Sequence, residues 1–282
     1  MVALLTPGGV PGGQVIASLP KTLPARVTRL PANDHRTLLR KREWLQTHTI
    51  ESPPSLGRNG STIANLIIGA TLVFAQEEAG TAVCVSPRGL LLTCAHCVAE
   101  ALEDLDWERI HWLLFSSGQV VAARTVAWDE TRDLALLLIV KASELSQASA
   151  FPFMHISPKA PKKNARLICV GHPGSEDLEA SIPGVQTNYD SLVLSTGKFC
   201  GLAEGQDPQD NSEIGTLMHD CWTYWGHSGA PLVERKSGQL VGVHSSWDDE
   251  TAMRRGVPWE AVKSFLGECQ IEMLPKPSLI DN

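Results

Sequence analysis

The sequence is poor in aromatic residues, at 6% of the chain, and no apolar run approaches the ~18 residues that a membrane-spanning helix needs. Cationic excess is lacking as well. Against 24 Lys and Arg stand 31 Asp and Glu, a formal charge of −7, whereas a surface that coats nucleic acid needs clustered Lys and Arg. Neither a membrane nor a nucleic acid is an expected partner. The stretch MVALLTPGGVPGGQVIASLP has no basic residue before Lys21, and Gly and Pro interrupt its apolar patch, so it lacks the form of a secretory signal. Cysteines at 84, 94, 97, 169, 200, 221 and 269 are odd in number and follow no metal-ligand spacing. Cys94 and Cys97 make a C-x-x-C, but no second ligand pair follows it. Reduced thiols in an intracellular, cytoplasmic protein are the expectation, with no cofactor and no metal. Phosphate-binding glycine loops are absent, because the glycine-rich start has neither a preceding strand nor a following Lys-Ser/Thr.

What is present is a change of texture near residue 60. Residues 1–60 are punctuated by Pro and Gly at 7–34, carry the basic stretch RTLLRKREWLQ at 36–46, and break again at ESPPSLGRNGS, 51–61. They read as an extension, partly disordered or regulatory, that could meet a regulatory partner; Arg40, Lys41 and Arg42 read as a solvated helix face. From about 62 onward come IANLIIGATLVFA, GTAVCVSP, GLLLTCAH, IHWLLF, QVVAARTVAW and DLALLLIV, at strand-like lengths and spacing. After a polar stretch at 141–163 the pattern resumes in ARLICVG, DSLVLSTG, APLVER and QLVGVHSS. Strands in series predict an all-β barrel or sandwich, and two groups of strands suggest two barrels sharing a cleft, about 61–150 and 160–267. PWEAVKSFL at 258–266 has helical spacing and a Pro suited to a first turn, so it predicts a C-terminal helix.

Three motifs carry chemistry. Gly226-His227-Ser228-Gly229-Ala230-Pro231 places a serine among glycines, which lets the backbone turn tightly and aim amides at one point. A hydroxyl is a weak nucleophile without a neighbouring base. LLLTCAHCV offers His96 just after an apolar run, and TRDLALLLIV opens one with Asp133. Taken singly, these are a Gly-Ser turn, a core histidine and a turn aspartate. Together, in the order His, Asp, Ser, each beside a strand, they match the chain order of chymotrypsin.

On these residues the chain resembles the chymotrypsin/trypsin-like serine proteases. TCAHCV is similar to the TAAHC motif, RDLALL resembles the aspartate strand of the HtrA-type branch, and GHSGAPLV with GQLVGVHSS resembles its nucleophile loop and next strand. The likeness covers roughly 63–267. It implies two six-stranded antiparallel β-barrels, and a serine endopeptidase acting on protein or peptide substrates. Ser228 would attack, His96 would be general base and then acid, Asp133 would orient His96, and the amides of Gly226 and Ser228 would form the oxyanion hole. Asp129 is a nearby competitor for the acid role.

Three departures accompany the resemblance. His227 stands where an Asp or Asn usually precedes the serine. Cys97 matches a cysteine that is disulfide-bonded in secreted relatives, and the partner position implied by spacing is Thr81, with Cys84 three residues off. Trp247 falls near the rim of the specificity pocket. The pocket itself would be built by Trp222, Thr223, His244, Ser245 and Trp247. Trp222 takes the position of trypsin's Asp, so cleavage after Lys or Arg is unsupported. Thr223 and His244 are similar to the hydroxyl and histidine of glutamyl endopeptidases, which implies cleavage after Glu or Asp; the alternative is that His244 is a core residue. His219, Asp220 and Cys221 would alternate between strand faces, and His155 and His172 have no partners at metal spacing. The competing function is a catalytically silent peptide-binding or scaffold module, or an enzyme latent until its first 60 residues are displaced.

Overall fold

The computed structural model describes residues 2–4, 16–50, 56–76, 80–143 and 150–269. Strands β3 (Thr71–Phe74), β4 (Thr81–Cys84), β5 (Leu90–Thr93), β6 (Ile110–Phe115), β7 (Val120–Asp129) and β8 (Leu134–Ser143) follow one another. Pairing runs β7-β6-β3-β4-β5-β8, and the β7–β8 ladder closes the ring into a six-stranded antiparallel barrel. The second barrel is closed by β9 (Arg166–Gly171), β10 (Val193–Leu202), β11 (Leu217–His219), β12 (Pro231–Glu234), β13 (Gln239–Asp248) and β14 (Met253–Pro258), in the order β10-β11-β14-β13-β12-β9. A C-terminal helix, Trp259–Glu268, follows directly and buries Ala261, Val262, Phe265 and Leu266.

The near-continuous apolar strands are explained by burial on both faces. Along β8, Ala135, Leu137 and Ile139 pack with Leu72, Phe74, Leu91, Leu113 and Phe115 inside barrel one. Their neighbours Leu134 and Leu136 face outward, into a larger core shared with Leu38, Ile67 and Val170. Barrel two is filled by a smaller cluster that includes Leu167, Phe199, Leu217, Leu232 and Val241.

The outer face of barrel one is covered by the N-terminal extension, and here two expectations are corrected. The first is the place of Lys41 on a solvated helix face. Strand β2 (Ala17–Leu19) adds in parallel to β8, and two helices, α1 (Ala25–Thr28) and α2 (Ala32–Thr47), follow it. The short β1 (Ala3–Leu4) pairs with β7. In α2 Leu38 is fully buried, and Lys41, expected on a solvated face, is buried with Nζ donating to Phe74 O at 3.1 Å and Gln76 O at 2.9 Å. Trp112 Nε1 donates to Thr28 O at 3.1 Å. Second, the run read as a strand from 62 is the end of a helix, α3 (Gly57–Ala70). Ala64, Ile67 and Ile68 are buried at helical spacing while Leu66 is 60% exposed, so the true period of this segment is 3.6. Residues 5–15 and 51–55, also part of the expected extension, lie outside the described residues.

Because α2 contributes to the shared core, truncating it should cost what a core truncation costs. Leu38→Ala is expected to lower the unfolding free energy by about 2–5 kcal/mol, read from urea denaturation of the full chain. A loss under ~1 kcal/mol would mean that the extension is only loosely laid on the barrel.

Candidate functional site

β5 and β8 are antiparallel neighbours with Thr93 opposite Ala135, so the end of one strand meets the start of the other. That register brings His96 and Asp133 together. His96 stands on a 3-10 turn, Ala95–Cys97, and its side chain is 44% exposed. Asp133 is buried, with a left-handed φ of 52° that aspartate tolerates better than most residues. The His96 Nδ1–H donates to Asp133 Oδ1 at 2.9 Å, and the His96 backbone N–H reaches the same oxygen at 3.2 Å. The other carboxylate oxygen accepts from Ser245 Oγ at 2.7 Å. Asp129 faces elsewhere: its Oδ2 accepts from Arg132 at 2.8 Å, and Arg132 continues to Glu268 on the C-terminal helix. Burial acts to lower the His96 pKa, but Cys97 and the Asp133 charge outweigh it, and the imidazole is held well above its usual value.

Ser228 lies in the turn before β12. Gly226 has φ 91° and Gly229 φ 85°, and a Cβ at Gly229 would stand 2.0 Å from Thr81 O, so only glycine fits there. Thr81 of barrel one holds this turn. Its N–H donates to Ser228 O and its Oγ1 to Gly226 O, each at 2.8 Å, while Oγ1 also accepts from His172 N at 3.2 Å. The Ser228 hydroxyl donates to Ser245 O at 3.0 Å, beside the His96–Asp133 pair. Among the described residues, the amides of Gly226 and Ser228 donate to no protein acceptor.

Of the expected pocket residues, His244, Ser245 and Trp222 contact this turn, through Gly229 N, Ser228 Oγ and the His227 ring. His244 is buried on β13, and Nδ1 shares a hydrogen bond of 3.1 Å with His219 Nε2. Ring contacts extend the array: His227 lies 6.4 Å from His244 and 5.4 Å from Trp222, both edge-on. Thr223 is buried; Trp222 O accepts from Ser195 Oγ. The Ser245 hydroxyl is committed to Asp133 rather than pointing at a substrate. Trp247 is 44% exposed and carries Arg254 over its ring at 4.1 Å. Trp225 is exposed beside the turn.

His227, in the place of the usual Asp or Asn, turns inward. Its Nδ1 lies 3.0 Å from Tyr224 O, and its ring occupies space that a Cβ on Gly171 would fill. Burial lowers the pKa of His172, His219 and His227 to about 3 each, and that of His244 well below the usual value. Among the described residues, nitrogens of three of these rings, His172 Nε2, His219 Nδ1 and His227 Nε2, are buried without a hydrogen-bond partner. Arg254 is close enough to disfavour protonation of His219, His227 and His244.

Spacing alone did not reveal this histidine array. His219 lies on β11, which pairs with β14, which pairs with β13, so three strands must be placed before its ring meets His244. The Cys97 comparison is also corrected. The residue facing its thiol is Gly80, where a Cβ would lie 2.6 Å from Sγ, and not Thr81. All seven cysteines are unpaired.

The sequence matches the family model of the trypsin-like peptidase domain over residues 80–243. Among solved structures it is similar to the protease Rv3671c in its inactive form, at 14% identity and a TM-score of 0.53, covering 79% of this chain and 98% of that one. An inactive serine-to-alanine variant of the M. tuberculosis H37Rv protein aligns at 15% identity with a TM-score of 0.54, over 81% and 99% of the two chains. No curated protein matches the sequence. Among the described residues, no helix is long and apolar enough to cross a membrane.

The buried histidines make a prediction about acid. An unfolded histidine takes up a proton below about pH 6.5. The folded chain withholds it from His172, His219 and His227 down to about 3. The stability that depends on neutral rings is therefore present above pH 6.5 and lost as pH falls toward 3. Urea midpoints measured between pH 7 and 4 should fall steadily, and less steeply in His227→Gln. An unchanged slope in that variant would show that the ring titrates freely in the folded chain.

Proposed function

Because the chain belongs to the trypsin-like peptidase family, we propose that it is a serine endopeptidase working through His96, Asp133 and Ser228. The observation that carries this reading is the doubly held carboxylate: Asp133 accepts from the His96 ring and from Ser245. That arrangement fixes Nδ1–H, so that in the neutral ring Nε2 is the base. Ser228 rotates from Ser245 O toward His96 and gives up its proton as Oγ attacks the scissile carbonyl, forming a tetrahedral intermediate. Amides of Gly226 and Ser228 receive its oxyanion. His96 then protonates the leaving amine, the C–N bond breaks to leave the acyl-enzyme, and water completes hydrolysis by the reverse route. The proposed substrates are proteins or peptides.

The resting bond from Ser228 to Ser245 O favours a second reading, a latent or silent module in which the serine is not engaged by its base. Fluorophosphonate labelling separates the two. We expect labelling of the wild type, none of Ser228→Ala, and a fall in peptidase activity of at least ~10³-fold in that variant. Absent labelling of the full chain and of a chain begun near residue 60 would overturn the catalytic reading.

For specificity, the pocket reading is cleavage after Glu or Asp. Arg254 is close enough to act on His244, and a substrate carboxylate would be met by charge-assisted hydrogen bonds from His244, once it takes up a proton with the substrate, and from the Thr223 hydroxyl. His244→Ala is expected to lower kcat/KM for Glu-containing peptides by about 10–100-fold, the scale of one charged hydrogen bond, and to leave apolar peptides unaffected. A wild-type profile dominated by apolar residues before the cut would sink the acidic preference.

A further inference from the structure

The residue under the His96 turn is a second nucleophilic group, and the proposed hydrolysis does not use it. Cys94 is fully buried, at the position where the TAAHC motif has its first alanine after threonine. Its Sγ, a ring nitrogen of His96 and a carboxylate oxygen of Asp133 all lie within 4.8 Å of one another. We propose that Cys94, His96 and Asp133 form a binding site for a divalent ion of the zinc class, and that the bound ion switches the protease off.

The donor set selects the ion. A thiolate, an imidazole and one carboxylate suit Zn²⁺ and its neighbours, whereas Mg²⁺ and Ca²⁺ require mostly oxygen ligands in greater number. The His96–Asp133 pair is already near zinc spacing, and Cys94 Sγ, which donates to His244 O at 3.3 Å, turns from that carbonyl to join it. Two ligands each about 2.0–2.1 Å from a tetrahedral ion are about 3.3 Å apart, and His96 Nδ1 and Asp133 Oδ1 are already 2.9 Å apart. The carboxylate is oriented in advance by Ser245 Oγ and by the His96 amide, the kind of outer support that metal-ligating groups require.

Binding has a direct chemical consequence. The ion replaces the Nδ1 proton, which moves to Nε2, and the Cys94 thiol releases its proton to solvent. The ring then carries hydrogen on the nitrogen that must accept the Ser228 proton, so the base is lost without any change in the fold. No redox step is involved. The inhibitory consequence rests on the protease reading; the binding itself does not.

Cobalt titration of the metal-free full chain tests the site directly. Co²⁺ is expected to give one equivalent of thiolate-to-cobalt charge-transfer absorption in the wild type. Cys94→Ala, which supplies the motif's own residue, should lose that band and bind at least ~10-fold more weakly, the scale on which even outer-shell partners act. Cys97→Ala should keep the band. Zn²⁺ should block fluorophosphonate labelling of the wild type, EDTA should restore it, and Cys94→Ala should label with zinc present. A wild type without the band at saturating Co²⁺, or a Cys94→Ala band of undiminished intensity, overturns the site. A normal band in a protein that never labels supports the site and counts against the protease reading instead.

Discussion

Everything at the centre of this molecule depends on keeping one buried carboxylate charged. Asp133 sits at 5% exposure, where an unpaired ion would be several kcal/mol too costly. Three donors make its charge tolerable: the His96 ring, the His96 amide and the Ser245 hydroxyl. Two of these come from the turn after β5 and the third from β13 of the other barrel. The same interaction therefore fixes a tautomer and joins the two barrels. Thr81 does comparable work from the opposite direction, since its backbone and hydroxyl hold the Ser228 turn against barrel one.

The second constraint is the cost of burying imidazoles. Four histidines, 172, 219, 227 and 244, crowd the mouth of barrel two with pKa values pushed down by burial. Neutral rings need partners, yet three of them leave a nitrogen unsatisfied. Groups of this kind are expensive to maintain in a core. Their position beside the serine turn, with Arg254 near, ties that expense to recognition of an acidic group under the proposed specificity.

Much of this was legible in the sequence. The two barrels could be read because strands buried on both faces are nearly continuous apolar runs, as in LALLLIV of β8. The C-terminal helix could be read because Pro258 and the spacing of Ala261, Val262, Phe265 and Leu266 agree. The convergence of His96 and Asp133 followed from motif order, and the structure brings them into contact. What failed did so for identifiable reasons. ANLIIGA is apolar enough to pass for a strand, but Leu66 points to solvent and its helical period is visible only when burial is known. Lys41 was read as a surface charge because sequence cannot show two carbonyls waiting at the end of β3. Strand alternation rightly separates His219 from its neighbours Asp220 and Cys221, but its partner, His244, is two strands away in the sheet and 25 residues away in the chain.

The extension has a temporal consequence. Ala3 pairs with Trp128 and Ala17 with Lys141, so these two segments find their places only after most of barrel one has been synthesised. At roughly 5–20 residues per second, that is a delay of about 6–25 s during which Leu38 and its neighbours have nothing to cover. Over that interval the nascent chain carries an apolar, basic helix without the surface that covers it, until β7 and β8 arrive.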